Sequence, residues 1–198
     1  MYKTKDMNTI KQFSTWLYSV SNVWVALAGF IIFLLFTATV LPAQAEEADK
    51  THGDVGSPDM SFFYTPEKLY EMAEAYGEQG RANYIRVRFT FDLIWPLIYT
   101  LFLSTSISFS FGRILRPESR WRWLNLAPLF GMIFDYLENI TTALVMYRFP
   151  TSTDILAFLA PIMTVTKWIF VTGSFILLLV GILVLIWQFV RTQLGKKQ

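Results

Sequence analysis

Residues 124–147, LNLAPLFGMIFDYLENITTALVMY, are long and apolar enough to cross a bilayer, yet they carry Asp135, Glu138 and Asn139 near the middle. A membrane-spanning helix needs about 20 mostly apolar residues. At helical spacing Asp135, Glu138, Asn139 and Thr142 sit at i, i+3, i+4 and i+7 and share one face, while Ile133, Leu137, Ile140 and Leu144 form the other. An ionised acid at a helix centre costs roughly 2.5–3.5 kcal/mol to insert. The polar face must therefore turn toward protein or water, and the segment needs partner helices.

Those partners are present. The 198-residue chain is 54% apolar and 17% aromatic, with only 16% charged residues and a mean hydropathy of +0.39. Three more stretches, at about 20–41, 89–111 and within 161–190, reach spanning length. The expectation is an all-α integral membrane four-helix bundle, one transmembrane domain over 1–198, with an outer loop at 42–88.

Charge sets an expected orientation. Lys3, Lys5 and Lys11 precede span one, Arg113, Arg116, Arg120 and Arg122 lie between spans two and three, and Arg191, Lys196 and Lys197 follow span four. Residues 42–88 instead hold nine acids against five basic residues. Basic loops stay in the cytoplasm, so both termini are expected there, in a bacterial inner membrane. The basic face suits anionic lipid better than nucleic acid. Ala43-Gln44-Ala45 has the small-x-small form of a signal-peptidase site. The apolar run before it is about 18 residues, longer than the 7–15 of a removable signal, so span one is expected to be retained.

There is no cysteine and one histidine, His52, expected in a solvated loop. Disulfides, iron–sulfur clusters, cysteine nucleophiles, Cys or multi-His zinc sites and His-ligated haem within the bundle are excluded. Acid–base chemistry falls to carboxylates, Lys, Tyr or Arg.

In the outer loop, Thr65 as N-cap, Pro66 at the first helical position and Glu67 and Glu71 near the positive dipole end predict a short amphipathic helix stopping at Gly77 or Gly80. Leu69, Tyr70, Ala73 and Tyr76 share its apolar side. It serves either as a cap on the bundle or as a lid over a pocket. In span two, Pro96 frees the carbonyl of Asp92, with Trp95 and Tyr99 alongside. Such backbone survives at membrane depth only when it faces protein or a wet cavity. In span four, Lys167, Val171, Ser174 and Gly181 form a strip that permits close helix approach. Whether Lys167 lies at the interface or deeper depends on where this helix starts.

Asp92, Asp135 and Glu138 are thus the candidate catalytic groups. Arg81, Arg86, Arg88, Trp95, Tyr99, Tyr136, Asn139 and Lys167 are the candidate ligand-binding groups of a pocket in the outer half of the bundle. Intramembrane ionisable groups mark functional sites by default, while a buried ion-pair network that fixes helix register is the structural alternative. Three functions fit. One is a protein that binds or modifies a membrane lipid or isoprenoid-like molecule, with paired carboxylates as acid and base. Another is an accessory subunit of a larger membrane complex. The third is a proton-coupled transporter, which would require a homo-oligomer. No cofactor is specified, and no metal ligand set beyond the acids themselves.

The runs GRANYIRVRFTFDLIWPLIYTLFL and WLNLAPLFGMIFDYLEN resemble a group of small, functionally uncharacterised bacterial four-span membrane proteins with Gly-Arg before span two, Asp then Pro within it, and Asp-x-x-Glu-Asn in span three. This resemblance covers residues 64–147 and implies that Arg81, Asp92, Pro96, Asp135, Glu138 and Asn139 belong to one site. In topology and buried carboxylates the chain also resembles the emopamil-binding and sigma-2 receptor-like (EXPERA) family of sterol isomerases and lipid-binding proteins. That family's isomerases use an intramembrane histidine as well, whereas His52 lies outside the four spans.

Overall fold

In a computed structural model, the backbone is described for residues 3–52 and 55–195, and side chains for 9–48 and 55–195. The described residues form seven α-helices: α1 (Lys3–Val20), α2 (Val23–His52), α3 (Pro66–Ala75), α4 (Gly77–Arg88), α5 (Phe91–Ile114), α6 (Ala127–Arg148) and α7 (Asp154–Gly195). Short 3-10 turns lie at Pro58–Met60 and Arg120–Leu126, and no strand occurs among the described residues. Four helical stretches, Val23–Ala48, Gly77–Ile114, Arg120–Arg148 and Asp154–Gly195, are long and apolar enough to cross a membrane. The chain is an all-α, multi-pass membrane protein.

The spanning helices alternate in direction. α5 and α6 form the middle of the bundle and α7 packs along both, while α2 lies at the edge against α5. Side chains on the lipid-facing sides remain exposed and apolar, as in Leu27, Ile31 and Leu35 of α2 and Ile176, Leu179 and Leu183 of α7. Interior packing relies on small residues. A Cβ on Gly181 of α7 would sit 2.5 Å from Ser110 Oγ of α5, and one on Gly131 of α6 would sit 2.9 Å from Val171 Cγ2 of α7. The expected strip on span four is thus the packed face of α7, with Lys167, Ser174 and Gly181 all buried.

Several boundaries differ from expectation. The basic amino-terminal segment forms α1, separated from α2 at Ser21-Asn22, where the Asn22 side chain accepts from the amides of Trp24 (2.9 Å) and Val25 (3.1 Å) as an N-cap. α2 runs to His52, well past residue 41, because Ala43 to Ala48 are good helix formers and Pro42 is tolerated within the helix. The expected loop position of His52 is therefore the end of a helix. Its side chain, like those of Lys3, Lys5, Asp49, Asp54, Lys196 and Lys197, lies outside the described residues. α7 starts at Asp154, so span four is a 42-residue helix with Pro161 inside it.

The amphipathic helix expected in the loop between spans one and two is α3. Thr65 Oγ1 accepts from Lys68 N at 3.2 Å, and Pro66 occupies the first turn. It ends at Tyr76-Gly77, where Gly77 has φ +62°, which disfavours a side chain. The chain then continues as α4, a helix absent from the sequence expectation because its mix of Arg, Asn and Gln shows little apolar period. Leu69, Met72, Ala73 and Tyr76 of α3 bury against Val145 and Met146 of α6 and Ala157 and Ala160 of α7, closing the acidic end of the bundle.

Gly181→Ala should destabilise the protein by roughly 1–3 kcal/mol through overpacking. Gly173→Ala, whose added Cβ meets nothing within 4 Å, should be neutral or slightly stabilising. Thermal unfolding of the two variants in one detergent measures the difference.

Candidate functional site

Arg88, the last residue of α4, is buried where α4, α5, α6 and the Pro58–Met60 turn converge. Its Nη2 lies 3.1 Å from Asp59 Oδ2 and its Nη1 lies 3.0 Å from Asp92 Oδ2, one turn later on α5. Nη1 also donates to Asn139 Oδ1 of α6 at 3.4 Å, and the guanidinium carbon stands 4.5 Å from the centre of the Tyr84 ring. A planar fork with several donors suits this multiple bridging, which one ammonium would not match. From Asn139 the network continues. Its Nδ2 donates to Asp135 Oδ1 at 3.4 Å, and Tyr99 Oη of α5 donates to Asp135 Oδ2 at 3.0 Å.

One turn along α6 lies the second charge centre. Glu138 is 1% exposed and ion-paired with Lys167 of α7, itself 5% exposed. Thr164 donates to Glu138 Oε1 at 2.9 Å, and Tyr64 lies 3.1 Å from the Thr164 hydroxyl, which connects the pair to the segment before α3. Of the two positions considered for Lys167, the deep one is correct. Early initiation of α7 at Asp154 moves Lys167 into the bundle beside α6.

Asp59 joins the two centres. Burial by itself would raise its pKa, but the Arg88 guanidinium, with Lys167 beyond it and the Ser57 hydroxyl donating to the carboxylate, holds it at about 2. The side chain of Asp59 keeps 23% of its surface open. Four carboxylates therefore surround two cations in one volume.

Beside this network lies a cavity of about 690 Å³. Its wall on one side is ionic, from Asp59, Arg88, Asp92, Asp135 and Lys167. Opposite is the part of α2 toward the acidic end, including Thr37, Leu41, Gln44, Ala45, Glu47 and Ala48, with Trp168, Val171 and Phe175 of α7 completing the lining. Phe33 of α2 and Phe175 of α7, 6.1 Å apart, close its floor toward the basic end, with Phe102 of α5 stacked behind Phe33 at 4.8 Å. Trp95 stacks on Phe33 at 5.6 Å and meets Tyr99 edge-on at 5.9 Å.

The structure gathers most of the sequence candidates and disperses three. Asp92, Asp135, Arg88, Trp95, Tyr99 and Lys167 line the cavity, while Glu138 and Asn139 sit in the layer behind. Arg81 instead donates to the Ala73 carbonyl at 2.8 Å and covers the Phe149 ring, tying α4 to α3 and to the turn after α6. Arg86 is exposed and bridges to Glu47 of α2 at 2.9 Å, because helical spacing turns it away from Arg88. Tyr136 also leaves the site, its hydroxyl donating to the Leu93 carbonyl at 2.9 Å on the outer side of the α5–α6 contact. Asp59 was missed. In SPDM it reads as an ordinary turn acid, and only the tertiary position of Arg88 distinguishes it. Among the described residues no group of three or more His, Cys, Asp or Glu is arranged to hold a metal ion.

Removing one partner of a buried ion pair leaves an uncompensated charge, so Lys167→Met and Glu138→Gln should each cost roughly 3–5 kcal/mol, and the double variant should regain most of that loss. Denaturant unfolding of the four proteins in detergent closes this cycle. Because Asp59 is depressed in the folded state, its contribution is complete above about pH 4 and disappears as pH falls toward about 2. Hydrogen exchange across residues 55–62 should accelerate over that interval, and Asp59→Asn should remove the pH dependence. Comparison with protein-family models, curated proteins and solved structures finds no match to this chain.

Proposed function

We propose that the chain binds or modifies a membrane amphiphile, of the lipid or isoprenoid type, in the cavity between α2, α5 and α7. The observation that carries this reading is the two-sided lining: an ionic wall that suits a polar head and a mainly apolar wall of α2 and α7, broken by Thr37, Gln44 and Glu47, that suits a hydrocarbon body. Its volume of about 690 Å³ lies within the range typical of small-molecule sites, roughly 300–1,000 Å³. The setting is a bacterial inner membrane with both termini in the cytoplasm, as the basic loops favour. The likeness to the EXPERA family, in topology and buried carboxylates, accords with this reading, as does the likeness to the uncharacterised four-span group.

Within it, Asp92 and Asp135 are the groups placed to touch the ligand and to exchange a proton with it. Glu138 acts through Lys167, because it is enclosed behind that side chain. Four carboxylates against two cations leave the site short of positive charge, and protons or a cationic head group would supply it. Tyr99 holds Asp135 in place against the cavity wall.

A second reading, a register-fixing network in an accessory subunit, is favoured by one observation: Arg88 and Lys167 are both already ion-paired. Transport has less support. Among the described residues the buried charged side chains, Arg88, Asp92, Asp135, Glu138 and Lys167, all lie on the acidic side of the Phe33, Phe102 and Phe175 rings, and the buried polar side chains beyond are Ser, Thr and Asn.

The test is native mass spectrometry of gently solubilised wild type and of the Asp92→Asn/Asp135→Asn variant, with thermal unfolding to establish that the variant folds. Wild type should retain a small amphiphile that a folded variant loses at least tenfold. Retention of no ligand by either protein, with a larger complex present instead, would transfer the assignment to the accessory-subunit reading.

A further inference from the structure

The amino-terminal helix α1 takes no part in the cavity. It docks at the opposite, basic end of the bundle. Ser14 Oγ donates to Asn125 Oδ1 at 2.8 Å, Asn125 Nδ2 donates back to the Ser14 carbonyl at 3.2 Å, and Tyr18 Oη donates to the Arg122 carbonyl at 2.7 Å. The Arg122 guanidinium lies 3.6 Å from the Tyr18 ring centre, and Tyr18 packs beside Gly112 of α5. Only two residues separate α1 from α2, so α1 must end where a spanning helix begins.

At 100° per residue the described side chains of α1 divide into three faces. Ser14, Leu17 and Tyr18 face the bundle, and Ser14 and Leu17 are buried there. Phe13, Trp16 and Val20 lie with Thr9 on a second, mainly apolar face, where Phe13 and Trp16 stack at 5.6 Å with 40% and 53% of their surface exposed. Lys11, Thr15 and Ser19 occupy a third face and are exposed. A helix in bulk water would have no use for the second face, and one within the hydrocarbon would not tolerate the third. A helix lying in the interfacial plane satisfies all three.

The surroundings match. Trp121 and Trp123, exposed in the 3-10 turn, and Trp187, exposed near the end of α7, ring the same end as an aromatic belt. Lys11, Arg116 and Arg120 are exposed beside them, against Glu118 as the one acid among the described side chains of α1 and the loop between α5 and α6. Arg113 and Arg122 are committed to the carbonyls of Phe109 and Leu115.

We propose that α1 and the loop between α5 and α6 form an interfacial docking surface for anionic phospholipid. Phe13 and Trp16 enter the acyl boundary while Lys11, Arg116 and Arg120 hold the head groups. Each basic side chain near an anionic surface contributes about 1 kcal/mol, so three together correspond to a preference of roughly a hundredfold over neutral lipid at low salt.

The chain has no cysteine, so single sites accept spin labels without further change. The full-length protein, carrying Phe13→Cys, Trp16→Cys, Thr15→Cys or Ser19→Cys in turn, is placed in nanodiscs of phosphatidylcholine and phosphatidylglycerol. Labels at 13 and 16 should be reached by oxygen and shielded from a water-soluble nickel chelate, and labels at 15 and 19 the reverse. Nickel access at all four sites would overturn the interfacial placement. Protection of 13 and 16 from both reagents would overturn it too, by showing that protein covers that face. Native mass spectrometry of protein ejected from the same discs should show phosphatidylglycerol retained over phosphatidylcholine, falling at least tenfold in Lys11→Gln/Arg116→Gln/Arg120→Gln. An unchanged ratio in that variant would overturn the head-group assignment.

Discussion

A guanidinium taken out of water must be given new polar partners, and Arg88 finds them for its two terminal nitrogens, though not for its Nε, on three separate elements. Asp59 comes from a turn, Asp92 from α5 and Asn139 from α6, with the Tyr84 ring of its own helix beneath. Desolvating an ion of this kind costs several kcal/mol even after relaxation, and only good geometry with full pairing offsets it. The acidic end of the bundle is accordingly over-determined. The Pro58–Met60 turn, α4 and α6 each hold one end of an interaction that the others need, and the cavity inherits its shape from them.

The two halves of the bundle cohere for different reasons. Toward the acidic end, charge pairing and the aromatic cluster of Tyr64, Tyr76 and Tyr84 join α3 and α4 to the spanning helices. Toward the basic end, close approach does the work, with Gly181 against Ser110 and the Ser14–Asn125 exchange. Dispersion between tightly packed small residues replaces the hydrophobic effect there, because lipid chains are as apolar as the helices themselves.

Much of this was legible in the sequence. Spanning length and apolar composition revealed the four crossings, and the cost of inserting Asp135 and Glu138 required a shared polar face. Thr65 and Pro66 marked the start of α3. Three features were hidden. Arg81 and Arg86 precede span two just as Arg88 does, and only the packing of α4, a helix without apolar periodicity, decides which arginine turns inward. Asp59 resembles any turn acid until Arg88 arrives beside it. α1 carries an apolar stripe too narrow to read as a span and was passed over as a basic tail.

The crowded position of α5 and α6 at the centre, with α2 and α7 outside, has a consequence for biogenesis. The most apolar stretches of α2 and α7 are markedly more hydrophobic than those of α5 and α6. α2 and α7 are greasy enough to rest in lipid alone. α5 and α6 are not, since their acids find cations and hydroxyls on α4, α7 and each other. During synthesis one self-sufficient helix precedes the dependent pair and the other follows it. The central hairpin reaches its full stability in the bilayer only once α7, synthesised after it, brings Lys167 to Glu138.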